Sequence, residues 1–422
     1  MFGFLVVLIL TQFFKSAQPS VISNLIRMEN LDPGRDQDYG NLPPNLSTIE
    51  LITRRGYPVH KHDIVTKDGY ILTAFRIPHG KSWASHGYPV YIMHGGAMSS
   101  SDWLVNLSED NCLPFLLANQ GYDVWLGNLR GNMYSNRHIN LTHNDPLFWN
   151  YGMDEVAKYD IPDAIDYILE KSKRRKLHFL GYSIGNTPFY MTMASRPEYN
   201  EKIGIHVSYA ASVFFSTFPV SNRINALITT RPLSILQKLI GGFPVPPEGI
   251  TFMVNQILST ICKPSIDLLG VCRQVLFIIM GFSPEQISRE QTPSVLGHLM
   301  TPSSLKMLLH LNQFMITDRF ACYDYGERQN LKIYGNMNPP EYNLKLITAP
   351  ISLVLARNDM FANSVGYQRL ANVLPNLVDY YTIPSPTFSH IDFVYGANAN
   401  EMVYNHTINL FNKFSLTIPS MS

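Results

Sequence analysis

Six short apolar runs punctuate this chain: YPVYIMH, YDVWLGN, KLHFLGY, IHVSYAA, PISLVLA and VDYYTIP. None alternates apolar with polar residues, so each reads as a strand buried on both faces. Patterns such as DIPDAIDYILEKS lie between them. There Ile161, Ala164, Ile165 and Ile168 share one helical stripe. Strand and helix in alternation predict an α/β architecture, a mostly parallel central sheet with helices on both faces. Ahead of it, HDIVTKDGYILTAFRIP carries two β-rich runs around Asp68-Gly69, the signature of a hairpin at the sheet edge.

The rhythm stops near Phe214 and resumes at APISLVLA. From about 214 to 330 the pattern is helical, apolar and broken by prolines. Such a block predicts an inserted helical cap within one domain spanning 18–422. Ligands of open α/β sheets bind outside the carboxyl ends of the strands. An apolar cap at that end would cover an apolar pocket.

The chain begins MFGFLVVLILTQFFKSAQPS. That apolar run is short for a bilayer span and ends near Ser16 and Ala17, so a secretory leader over 1–17 is predicted. Sequons at Asn45, Asn106, Asn140 and Asn405 agree with export. No later run has the length and purity of a transmembrane helix. The formal net charge of +1 gives no field that would gather nucleic acid. Cysteines stand only at 112, 262, 272 and 322, with no Cys-x-x-Cys pair to hold zinc. Cys262 and Cys272 are near enough for a local bridge in an oxidising compartment. His60-Lys61-His62-Asp63 lacks further ligand groups nearby and reads as a polar strand entry. No metal or cofactor is expected.

Ser183 sits between Gly181 and Gly185, directly after the run KLHFL and before a plausible helix. This strand–turn–helix setting is what a nucleophile elbow requires. A serine hydroxyl is a weak nucleophile until a base takes its proton, and the base needs an acid to orient it. In such folds the order is serine, acid, histidine. Asp359 follows the strand SLVLA, and His390 lies in a proline-rich loop after the last strand. Asp392 is a competing acid, but only two residues from His390 it reaches awkwardly around the ring. Asp318 and Asp324 fall in or beside the expected cap. An oxyanion hole needs two backbone donors, each worth about 3 kcal/mol. The residue after the serine, Ile184, is one, and Gly96 in YIMHGGAMSSSDW is the other. His94 is read as shaping that loop rather than carrying protons.

These residues also carry a resemblance. HDIVTKDGYIL, MHGGAMSSSDW, NQGYDVWLGNLRGNMYSNRH, FWNYGMDEVAKYDIPDAIDYI, RNDMFAN and FSHIDFVYG, in this order, resemble the acid lipase family of secreted and lysosomal lipases. The resemblance covers nearly the whole chain after the leader. It implies an α/β-hydrolase fold with a helical cap and lid. It implies Ser183 as nucleophile, Asp359 as acid, His390 as base, and Gly96 and Ile184 as oxyanion donors. It further implies hydrolysis of triacylglycerols or sterol esters at a lipid–water interface, in a secreted or lysosomal setting. Because Met280 stands where the vertebrate gastric enzyme has a cysteine, the implied bridge is Cys262 to Cys272.

The chain departs from the family at four further positions. Tyr182 and Ile184 flank the serine where the family usually has histidine and glutamine. Gly96 replaces a usual leucine. Pro188 falls early in the following helix and would kink it if placed beyond the first turn. Tyr182, Ile184 and Gly96 motivate one alternative, a weakly catalytic lipid-binding or storage protein, and an esterase for small soluble esters is a second. The ordered Ser, Asp and His argue against the first. A chain-length series separates the second.

Overall fold

All six apolar runs become strands of one sheet. The computed structural model describes residues 46–82, 85–106, 108–215 and 220–415. The expected leader and the Asn45 sequon lie outside the described residues. The hairpin strands are β1 (His60–Val65) and β2 (Tyr70–Ile77). β3 (Pro89–Met93), β4 (Asp123–Leu126) and the short β5 (Arg137–His138) follow. Next come β6 (Leu177–Tyr182) and β7 (Ile203–Tyr209). A separate pair, β8 (Pro244–Val245) and β9 (Ser303–Ser304), is antiparallel. β10 (Ile351–Leu355) and β11 (Leu377–Thr382) complete the main sheet.

The main sheet runs β1-β2-β4-β3-β6-β7-β10-β11, with β5 paired to β2. Every contact from β4 through β11 is parallel. The hairpin pairs antiparallel within itself, from His60 opposite Arg76 to Val65 opposite Ile71, and joins β4 antiparallel. Every residue of β3, β4, β6, β7 and β10 is buried. This is why their sequences show no alternation. β11 is the far edge, and its exposure alternates with the pleat. Gly69 turns the hairpin at φ +97°, and an added Cβ would press on the His138 ring at 2.7 Å.

Helix α1 (Ile161–Ser172) buries the stripe Ile161, Ala164, Ile165 and Ile168. Lys173 ends it in the left-handed region, φ 53°. A π-turn over Val156–Asp160 precedes it and delivers Asp160 to Arg130. Arg130 is 1% exposed, pairs also with Asp68 at 2.7 Å, and lies 3.9 Å over the Tyr70 ring. This network fastens the hairpin turn to the loop after β4 and to α1. Removing one partner would strand a buried charge, at a cost of about 3–5 kcal/mol.

Between β7 and β10 the chain is mostly helical. Helices α2 (Thr187–Ser195), α3 (Val220–Ile240), α4 (Glu248–Ile261), α5 (Val271–Met280) and α6 (Leu305–Thr317) follow in order, with α2 directly after the serine turn and α3 to α6 in the block. Pro232 lies inside α3 instead of ending it. Cys262 at the end of α4 and Cys272 near the start of α5 are bridged, with Cα atoms 5.7 Å apart. Cys112 and Cys322 are free thiols.

The sequons within the described residues differ in exposure. Asn106 is 3% exposed and its side-chain amide donates to the Gly396 carbonyl at 3.2 Å. Asn140 and Asn405 are exposed.

Candidate active site

Ser183 stands at the tip of β6, in the middle of the sheet, where the chain turns into α2. Its φ is +53°, a left-handed conformation that a non-glycine residue adopts at a cost. The flanking glycines make the turn possible. A Cβ at 181 would lie 2.9 Å from Cγ of Asn186, and one at 185 would collide with the His94 carbonyl. Asn186 braces the elbow by donating to the carbonyls of Ser183 at 3.1 Å and Tyr209 at 2.9 Å. Its own oxygen meets His206 Nε2 at 2.9 Å. Pro188 falls in the first turn of α2, where its missing N–H costs no helix hydrogen bond.

The loops after β10 and β11 bring an acid and a base to this tip. His390 Nε2 lies 3.0 Å from Ser183 Oγ. His390 Nδ1 lies 2.8 Å from Asp359 Oδ2. The other oxygen of Asp359 accepts the backbone N–H groups of Phe361 at 2.7 Å and Ala362 at 2.8 Å. Asp359 is 7% exposed and His390 6%. The two loops are stitched by a parallel bridge between Asn358 and Ser389. Phe361 leans on the imidazole, ring centres 4.9 Å apart.

Asp392 does not compete for the imidazole. Its carboxyl accepts from Ser389 N–H at 2.6 Å and from the Ser283 hydroxyl at 3.0 Å. Burial pushes it up to about 7. Asp318 accepts from Phe215 N–H and pairs with Arg369, and Asp324 accepts from Gly326 N–H and the Asn330 amide.

The oxyanion candidates adjoin one another. A Cβ built on Gly96 would sit 3.2 Å from Ile184 Cγ2. Among the described residues neither backbone N–H is paired with a protein acceptor. The loop that carries Gly96 is held by His94. One ring nitrogen, Nδ1, donates to the Gly95 carbonyl at 2.7 Å. The other accepts from Leu129 N–H at 3.1 Å and from the Asn132 amide at 3.2 Å. Burial pushes this imidazole down to about 4, so it is a neutral structural group. From the helical block, Met300 and Thr301 donate to the Ala97 carbonyl at 2.8 and 2.9 Å.

Two features escaped the sequence reading. The Tyr182 hydroxyl donates to the His390 carbonyl at 2.8 Å. Ser283 from the helical block reaches the His390 loop through Asp392. Tyr182 was visible only as a departure from a pattern, and Ser283 carried no local signal.

Residues 48–107 match the family described as a partial alpha/beta-hydrolase lipase region, and residues 88–235 match the alpha/beta hydrolase fold. Lipase member K of Homo sapiens is 32% identical, over 90% of this chain and 95% of its own. Gastric triacylglycerol lipase of Bos taurus is 34% identical, over 88% of this chain and 92% of its own. Among solved structures, DcsB in complex with its substrate analogue aligns with a TM-score of 0.50 at 15% identity, covering 84% of this chain and 99% of that one. At that identity the likeness speaks to the fold alone.

Proposed function

The chain belongs to the gastric and lysosomal acid lipase family of α/β-hydrolases, and from that premise we propose how its own residues cleave a lipid ester. It is a carboxylic-ester hydrolase of lipids. We assign Ser183 as nucleophile, His390 as base and Asp359 as the orienting acid. The observation that carries this is the continuous line Asp359–His390–Ser183, with contacts of 2.8 and 3.0 Å.

Ser183 Oγ attacks the ester carbonyl carbon while its proton passes to His390 Nε2. Asp359 holds the tautomer with its proton on Nδ1 and stabilises the imidazolium. The carbonyl oxygen becomes an oxyanion beside the backbone N–H groups of Gly96 and Ile184. When the C–O bond to the alcohol breaks, His390 returns the proton to the leaving oxygen. Water then repeats the sequence on the acyl-enzyme, releasing the fatty acid and restoring the serine.

We take triacylglycerol as the favoured substrate and the helices between β7 and β10 as the cap that meets the lipid–water interface. Phe252 on α4 is 69% exposed and Leu269, inside the disulfide loop, is 74% exposed. Ile257, Ile266, Leu268 and Val271 add to this outward apolar surface. Among the described residues no helix is long and apolar enough to cross a membrane. Such a surface gains by entering lipid, about 25 cal/mol per Å² of apolar area. We place the protein outside the cytosol, secreted or lysosomal. The bridged cysteines and the exposed sequons at Asn140 and Asn405 support that reading.

The experiment is hydrolysis of a long-chain triacylglycerol emulsion by the parent and by Ser183→Ala, with covalent labelling by a fluorophosphonate. The parent is expected to turn over and label. The variant is expected to lose at least about 10⁴-fold in rate and all labelling. Equal rates in the two proteins would reject the assignment.

A further inference from the structure

We propose that Tyr182 is a positioning residue of this site, one whose phenol locks the loop of the base to the strand of the nucleophile. This rests on the catalytic reading given above. Tyr182 is the last residue of β6 and the immediate neighbour of Ser183. Its side chain is sealed from solvent. The phenol donates to the main-chain carbonyl of His390 at 2.8 Å. Its ring lies 5.1 Å from the imidazole, tilted by 36°.

On another side the ring meets the oxyanion loop. A Cβ at Gly95 would lie 2.8 Å from a Tyr182 ring carbon, so this close approach needs glycine. Trp103 closes the pocket edge-on, with ring centres 6.1 Å apart. A single side chain therefore touches the base loop and the oxyanion loop while its backbone carries the nucleophile. Burial also holds the phenol well above its ordinary range, so it stays a donor at any working pH.

The consequence is geometric. His390 must hold Nε2 on Ser183 and Nδ1 on Asp359 at once. Its carbonyl lies on the same residue as the working ring, so a shift of the main chain lengthens both contacts together. Misplacement by about 1 Å can cost roughly 100-fold in rate. A phenylalanine at 182 would keep the ring and leave the His390 carbonyl buried without this donor.

The test compares the parent, Tyr182→Phe and Tyr182→4-aminophenylalanine on soluble p-nitrophenyl butyrate, with thermal unfolding of each. Tyr182→Phe is expected to lower kcat by roughly 10- to 100-fold, with KM changed by less than about twofold. The 4-aminophenylalanine variant keeps an N–H donor on the same ring and is expected to recover kcat to within about threefold of the parent. An unchanged kcat in Tyr182→Phe would overturn the proposal. So would an amino variant that folds yet is no faster than the phenylalanine variant. Should Tyr182→Phe fail to fold, the amino variant decides: folded and active at near the parent rate supports the role, and folded but tenfold or more slower removes it. An inactive parent would instead defeat the catalytic reading on which the inference stands.

Discussion

Asp359 and Asp392 are two carboxyls in neighbouring loops with different neighbours. Asp359 meets the imidazole at 2.8 Å and is itself held by two backbone N–H groups. Asp392 faces Ser389 and Ser283. The roles therefore separate by substitution. Asp359→Asn is expected to reduce kcat by about 10³–10⁴-fold, because an amide favours the wrong tautomer of His390. The protein should still fold, since the asparagine oxygen can accept the same backbone donors. The check is kcat on a soluble ester alongside a thermal unfolding curve. A loss smaller than tenfold would mean that another group orients the imidazole.

Strands and helices were the legible level of this sequence. The six apolar runs fall on β3, β4, β6, β7, β10 and β11; in the first five, burial on both faces removes the polar positions that would blur them, while the edge strand β11 is half-exposed and not the doubly buried strand its sequence suggested. Asp68-Gly69 marked the hairpin because a left-handed glycine was needed there. The pairs that meet across long separations were not legible. Tyr182 to His390 and Ser283 to Asp392 depend on where loops close, and no period or spacing encodes that closure. Nor was the burial of Asn106 legible in its tripeptide, since its contact with the Gly396 carbonyl spans 290 residues. The disulfide belongs to this scale too. It closes a sequence separation of 10 between α4 and α5, around the exposed Leu268 and Leu269. Loop-closure entropy gives such a bridge about 3 kcal/mol. Replacing both cysteines by serine is expected to loosen α4 and α5 locally, while the strands of the sheet keep their protection. Hydrogen exchange would read this as faster exchange confined to α4 and α5. Uniform acceleration, sheet included, would mean that the helical block and the sheet unfold as one unit.

Across the whole molecule, protons act on the fold through its buried histidines. His94, His178, His206 and His310 are sealed in the interior. Burial pushes His94 down to about 4 and His178 to about 3, and lowers His206 and His310 as well. Among the described residues, Nδ1 of His178 and of His206 has no hydrogen-bond partner, so a second ring proton there would be stranded. Below about pH 6.5 the unfolded chain binds a proton on each ring and the native chain does not. Each ring's contribution is therefore whole above that pH and is lost as pH falls toward its folded value, by about 1.4 kcal/mol per pH unit. Asp392 runs the other way. Its folded value of about 7 lies above that of a free carboxyl. The native chain keeps a proton there that the unfolded chain releases, so this contribution is greatest in acid and is lost as pH rises through 7. Burial raises Asp160, to about 6, and Asp102 as well, so three acids oppose the four sealed imidazoles together with the lowered His62 and His86, and the histidines prevail between about pH 6.5 and 4.5. The thermal midpoint is expected to be highest near neutrality and to drop by on the order of 10 °C at pH 4.5. A protein working in acid would have to recover that loss from something that binds only the native chain, such as lipid held under the cap. Repeating the pH series with a non-hydrolysable lipid ester analogue checks this. The midpoint should then recover at pH 4.5, and an identical profile with and without the analogue would mean that bound lipid supplies none of the acid stability.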